Sequence, residues 1–303
     1  NPALAIGANF PTSQKNNTHS QAQVFLDFGT PLALTLVLKG LPKSTDKEMT
    51  MFATQSVTKT SDEPEFSGPH SWQTQNWARM VRRFMRQREY FSWVEQSCTS
   101  VAVKGLDNLA RLKGPAIFIA NHQSHMDTPV LMSALPEDIQ NNLYFGAAAD
   151  RWFVTGKKKL ILQPWYQSLV MGNFPINRGG GSKTLEYAQS LLDQRCNICI
   201  FPEGTRAQSN ELGRFRHGVS LLALRKRVPI VPVVLKGLRE LRPKGAREIT
   251  PGPVGVSILK PVYPGSDTSV ETLTNILWEN MNREFFESIP FPNVVAAPTH
   301  KAA

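Results

Sequence analysis

A chain of 303 residues with 41% hydrophobic content is long enough to bury a substantial core, so one large domain with an accessory region is expected. A formal charge of +10 and a pI near 9.6 imply an anionic counterpart: nucleic acid, a phosphorylated small molecule or an acidic membrane surface. Cys98, Cys196 and Cys199 are too few and too oddly numbered for a disulfide framework, which suggests a reducing compartment. The positive charge is regional. Residues 151–250 carry 18 Lys and Arg against 6 Asp and Glu, and the remainder is slightly acidic.

In chain order, residues 1–70 are rich in Ser, Thr, Gln, Asn and Pro and read as an irregular N-terminal segment, with one short helix or strand near 24–38. The chain opens "NPALAIGANF", without an initiator methionine and without a secretory signal, so a start trimmed from a longer polypeptide is allowed. The apolar stretch "PLALTLVL" at 31–38 is far shorter than the roughly 20 residues a bilayer requires, and no transmembrane helix is expected.

Over 71–98, Trp77, Met80, Val81, Phe84 and Phe91 recur at helical spacing while Arg79, Arg82, Arg83, Arg86 and Arg88 fill the positions between them. That is a basic amphipathic helix. Two readings follow: an accessory helix with a solvated arginine face, or an interfacial helix on anionic lipid. From 99 to 290 short apolar runs alternate with helical patterns. Strands are expected at 101–105, 116–120, 143–147, 197–201, 229–235 and 254–260, with helices near 128–135, 150–166, 183–193, 216–227 and 269–287. Alternation of this kind predicts an α/β sheet layered with helices. Residues 291–303 read as a tail.

The stretch "NHQSHMD" at 121–127 follows the apolar run "AIFIA" and precedes Thr128-Pro129, where a helix starts. It therefore occupies the junction beyond the carboxyl end of a strand, where open α/β sheets bind ligands. A turn there brings Asp127 back to the ring of His122. A continuous helix would separate them. On this stretch alone, a plain helix cap with a loop histidine competes evenly with a dyad. A metal site is disfavoured, because His122, His125 and Asp127 lack the helical spacing and the further ligand that zinc needs. "CNIC" at 196–199 leads into an extended run in which residues three apart point to opposite faces, which argues against a redox or zinc pair.

A second signal is "FPEGTR" at 201–206. A strand ends at Pro202 and presents Glu203, Gly204, Thr205 and Arg206 in a turn, with a guanidinium suited to phosphate oxygens. With "GNFPINR" at 172–178, "FRHG" at 215–218 and "VPIVPV" at 228–233, in that order, the chain resembles the glycerolipid acyltransferase superfamily. The likeness is greatest to the 1-acylglycerol-3-phosphate acyltransferases of bacteria and plastids and spans about 101–262. Asn177, Ala207 and His125 depart from the usual residues at their positions. The resemblance implies a mixed, largely parallel sheet layered with helices and a less regular helical N-terminal region.

It also implies transfer of an acyl group from acyl-CoA or acyl carrier protein, with no cofactor, to the free hydroxyl of a lysophospholipid or glycerol-phosphate acceptor. His122 is then the general base and Asp127 its orienting carboxylate. Arg178 and Arg206 clamp the acceptor phosphate, with Glu203, Gly204 and Thr205 completing the substrate-binding turn. Lys157, Lys158, Lys159 and the "RKR" at 225–227 are candidates for donor phosphates or acidic lipid, or are solvated faces. A peripheral protein on the cytoplasmic or plastid-stromal face of an anionic membrane fits this reading. The rival from another class, a basic nucleic-acid-binding protein, lacks a recognisable binding module.

Overall fold

The computed structural model describes residues 70–153, 163–177, 182–207, 209, 211–241 and 248–287. The element expected near 24–38, the middle of the helix expected at 150–166, Lys157 to Lys159, Arg178 and the tail 291–303 lie outside those residues.

Seven strands form one sheet: β1 (Cys98–Lys104), β2 (Ile117–Ala120), β3 (Leu143–Ala148), β4 (Asn173–Ile176), β5 (Asn197–Ile200), β6 (Ile230–Lys236) and β7 (Gly252–Ile258), in the order β1-β7-β6-β2-β5-β3-β4. Every neighbouring pair is parallel except β6 with β7, so the sheet is mixed and mostly parallel, as the motifs implied. Strand β2 is buried along its whole length, which explains why it reads as an unbroken apolar run. Phe118 and Ala120 face one core layer, Ile117 and Ile119 the other. Cys199 and Cys196 likewise fall in opposite layers, as three-residue spacing on an extended chain requires.

Strand β4 was not expected. It has four residues, one of them Pro175, and gives no alternation to read. Its place at the edge of the sheet is what lets a proline without a backbone donor sit there.

Among the described residues five helices are eight residues or longer: α1 (Asn76–Arg86), α2 (Asp127–Ala134), α3 (Ser182–Asp193), α4 (Gly218–Lys226) and α5 (Val270–Phe286). Helix α2 packs on the face carrying Phe118; α3, α4 and α5 pack on the face carrying Ile119. Ser269 caps α5, its hydroxyl accepting the Thr272 N–H at 3.0 Å.

Helix α1 corrects the expected amphipathic arrangement. Arg82 and Arg86 are buried, whereas Met80 and Phe84 are 62% and 51% exposed. The reason lies in acceptors far along the chain. Arg82 donates to the carbonyl oxygens of Gln73 (2.6 Å), Ser168 (3.3 Å) and Leu169 (3.4 Å) and to the Tyr144 hydroxyl (2.8 Å). Arg86 donates to the carbonyls of Gln140 and Leu143. Burial pulls both guanidinium groups down, Arg86 to about 9, and carbonyl oxygens take the place of the water each has lost. Gly172 belongs to the same lock: its φ is +69° and a Cβ there would stand 2.9 Å from Arg82 Cδ. The chain turns at that glycine into β4.

Candidate functional site

Strands β2 and β5 are parallel neighbours with Ile119 opposite Ile200. The chain leaves both at the same edge of the sheet, so the turns beginning at Asn121 and Phe201 lie side by side. Asn121 secures the first turn: its amide donates to Leu235 O at 2.9 Å and accepts the Leu235 N–H at 2.7 Å. A buried side chain thus extends the β2–β6 ladder by one step beyond the strand end.

The turn returns Asp127 to His122. Nδ1 of His122 lies 2.6 Å from Oδ2 of Asp127. The carboxylate also accepts the backbone N–H groups of Gln123 (2.7 Å) and Ser124 (2.9 Å). Met126, not Asp127, occupies the N-cap position of α2, so the aspartate points backwards into the turn instead of capping its own helix. Because a carboxylate only accepts, Nδ1 carries the imidazole proton and Nε2 keeps the lone pair. Burial pushes the Asp127 carboxyl above its ordinary range, and the donors from His122, Ser124 and Gln123 pull it back part of the way. The side chain of Asp127 is 1% exposed and that of His122 26%, so the carboxylate is sealed behind an imidazole that reaches the surface. The Ser124 hydroxyl is engaged in the turn, accepting the Met126 N–H at 2.9 Å.

The second turn holds His122 from the other side. Phe201 stacks on its ring at 4.4 Å between centroids, with 26° between planes. Glu203 Oε1 accepts the His122 N–H at 2.8 Å, Oε2 accepts the Gly213 N–H at 3.0 Å, and the Ala207 N–H donates to His122 O at 2.7 Å. Burial raises the Glu203 carboxyl, offset in part by those two donors. Gly204 has φ +73°, and a Cβ on it would meet Arg216 Nε at 2.7 Å. The guanidinium of Arg216 therefore lies across the bare face of the turn, and the backbone N–H of Arg216 donates to Pro202 O at 2.9 Å. Thr205 is exposed and Arg206 half-buried at the end of the turn. Arg178, its expected companion, falls just after β4 and outside the described residues.

Other candidates stand apart. His125 meets Arg151 at 3.5 Å and the edge of Trp152. His217 Nδ1 is 3.2 Å from the Thr274 hydroxyl. Among the described residues no three His, Cys, Asp or Glu side chains are arranged to hold a metal. Arg225 to Arg227 close the C-terminal end of α4, leading into the start of β6 at the opposite edge of the sheet from the dyad. There Lys226 pairs with Asp193 and the positive charges suit the helix C-terminus.

Sequence reading missed the Phe201 stack, the Ala207 bond, Arg216 and Gly213. The first two sit in or beside "FPEGTR" and Arg216 in "FRHG", so position marked them, but no pattern marked their partners.

Comparison with known proteins follows the same segments. Residues 100–236 match the protein family described as Acyltransferase. A chloroplastic 1-acyl-sn-glycerol-3-phosphate acyltransferase of Brassica napus is 30% identical over 185 residues, covering 59% of this chain and 50% of its own. The alpha form of that acyltransferase from Mus musculus is 30% identical over 155 residues, 49% of this chain and 50% of its own. The chain spans about half the length of the curated relatives it matches. Among solved structures, the 1-acyl-sn-glycerophosphate acyltransferase of Thermotoga maritima superposes with a TM-score of 0.54 at 24% identity, covering 69% of this chain and 78% of that one. That likeness concerns the fold.

Proposed function

We propose that this chain, whose residues 100–236 match the acyltransferase family, transfers an acyl group from a thioester, acyl-CoA or acyl carrier protein, to the free hydroxyl of 1-acylglycerol 3-phosphate. The observation that carries the reading is the 2.6 Å contact between His122 Nδ1 and Asp127 Oδ2 at the carboxyl edge of the parallel strands. Nε2 of His122 takes the hydroxyl proton as the oxygen attacks the thioester carbonyl. The C–O bond forms, the C–S bond of the tetrahedral adduct breaks, and the imidazolium returns the proton to the departing thiolate. Asp127 holds the tautomer and stabilises the imidazolium. No acyl-enzyme is needed, in keeping with a Ser124 hydroxyl already committed to the turn.

Arg206, with Arg178, anchors the acceptor phosphate, while Gly204 and Thr205 shape the turn that presents it. Relatives named for 1-acyl-sn-glycerol 3-phosphate favour that acceptor over glycerol 3-phosphate. Assay of the purified chain with both acceptors and a labelled acyl thioester tests this. Product with lysophosphatidate and little with glycerol 3-phosphate is expected, and the reverse preference would overturn the acceptor assignment.

The same proposal sets the protein on an anionic membrane surface. Among the described residues no helix is long and apolar enough to cross a membrane. Support for interfacial docking comes from Met80 and Phe84, one turn apart on the outer face of α1 beside exposed Arg83 and Arg88. The chloroplastic relatives favour a plastid setting.

A further inference from the structure

Glu203 belongs to a turn expected to touch substrate, yet both its carboxylate oxygens are turned inward. Oε1 accepts the N–H of His122 and Oε2 the N–H of Gly213, and the residue is 9% exposed. Gly213 is held in turn from the far side: its carbonyl accepts the indole N–H of Trp278 at 3.1 Å. Trp278 stands on α5, a helix with no other part in the site, and its ring packs into the core layer beneath that helix.

We propose that Glu203 is a positioning residue, the central link of a hydrogen-bonded chain from Trp278 through Gly213 and Glu203 to His122 that fixes the main chain of the base. This rests on the acyl-transfer reading for its kinetic consequence, though not for its geometry.

Three features support the chain. Each link is a single bond between groups with few alternatives: an indole N–H can only donate, and a backbone N–H at a buried carboxylate has no water to turn to. The spacing is tight, since a Cβ on Gly213 would stand 2.6 Å from Glu203 Oε2, so residue 213 must lack a side chain for the carboxylate to reach its amide. Finally, His122 O is bound by Ala207 N–H, so with Glu203 in place both main-chain groups of the base are held by one turn. The imidazole swings from that fixed point, and its distance to a reacting hydroxyl follows from where the point is held.

The experiment uses the full chain with Trp278→Phe, Glu203→Gln and the double variant. Without substrate, hydrogen exchange of the His122 amide is followed by NMR in histidine-labelled protein, the resonance identified with His122→Ala. With lysophosphatidate and acyl-CoA, kcat and acceptor KM are measured separately. The chain requires faster exchange at His122 in both single variants. Trp278→Phe should lower kcat by about 3–10-fold and Glu203→Gln by about 10–100-fold, with acceptor KM within about twofold of wild type. The double variant should be no slower than Glu203→Gln, because one broken chain cannot be broken again.

Additive losses, unchanged exchange, or a raised acceptor KM with kcat intact would overturn the proposal, the last by making Glu203 a substrate ligand. Should Glu203→Gln fail to fold, Gly213→Ala displaces the same carboxylate and must give the same kcat loss and exchange. If no variant and no wild type turns over, while exchange still follows the chain, the reaction assignment falls and the positioning inference stands.

Discussion

Asp127 Oδ2 lies 2.6 Å from His122 Nδ1 while the two residues differ sharply in their access to water. The carboxylate is sealed and the imidazole reaches the surface. A buried carboxylate whose donors come from one imidazole and two backbone N–H groups sits above its ordinary range because desolvation is the largest influence on it. Glu203, behind the same histidine, is raised for the same reason.

The first expected consequence concerns pH. A carboxyl raised in the folded chain binds its proton more tightly there than when unfolded. Its contribution to stability is full below the ordinary carboxylate value and is lost as pH rises through the raised one. Acidification into that window therefore costs no stability from Asp127 or Glu203, but it removes the acceptor that orients His122. As pH falls, activity should begin to drop while the pH is still above the ordinary Asp value of 3.8, and the fold should persist. Initial rates and tryptophan fluorescence followed together between about pH 4 and 8 check this, and simultaneous loss of both would contradict it.

Arg82 leads to a stability prediction. Its guanidinium satisfies three carbonyls and a hydroxyl from segments far apart in sequence. Arg82→Met keeps much of the volume but leaves those acceptors buried, and should cost roughly 3 kcal/mol or more in denaturant unfolding. A variant within about 0.5 kcal/mol of wild type would show that the lock does not hold α1 to the domain.

The proposed phosphate clamp can be tested by separating binding from chemistry. Arg206→Ala should raise the acceptor KM by about tenfold or more while the donor KM changes little, since a charge-assisted pair contributes about 1.5–3 kcal/mol. Arg206→Lys should recover only part of the loss, because a point charge does not replace the planar fork. A change confined to the donor KM would reassign the residue.

Helix α1 makes the membrane proposal measurable. Replacing Met80 and Phe84 together by Ser removes exposed apolar groups without touching Arg82 or Arg86. Flotation with vesicles containing anionic phosphatidylglycerol should fall several-fold for the variant, an effect set by the area of apolar side chain lost to the interface. Binding equal to wild type, or no preference for anionic over neutral vesicles, would remove this surface.

These relationships differ in how visible they were in the sequence. Buried strands such as β2 and β6 announce themselves as apolar runs between turn residues, because both of their faces meet helices. The edge strand β4, four residues long and holding Pro175, carries no such pattern. The pairing of His122 with Asp127 was legible because a local turn makes it, over five residues ending at a helix start. The inversion of α1 was not. Helical spacing reveals two stripes, and which one turns inward was decided by carbonyls at Ser168, Leu169, Gln140 and Leu143. The same holds for Trp278, whose bond to Gly213 joins residues with nothing in sequence to connect them.

The most direct measurement is thiol release from acyl-CoA in the presence of lysophosphatidate, comparing wild type with His122→Ala at equal folded concentration. Steady turnover by the wild type and a loss of at least about 10²-fold in the variant are expected of a general base. Turnover by His122→Ala close to that of wild type would contradict the account, since another group would then be removing the proton.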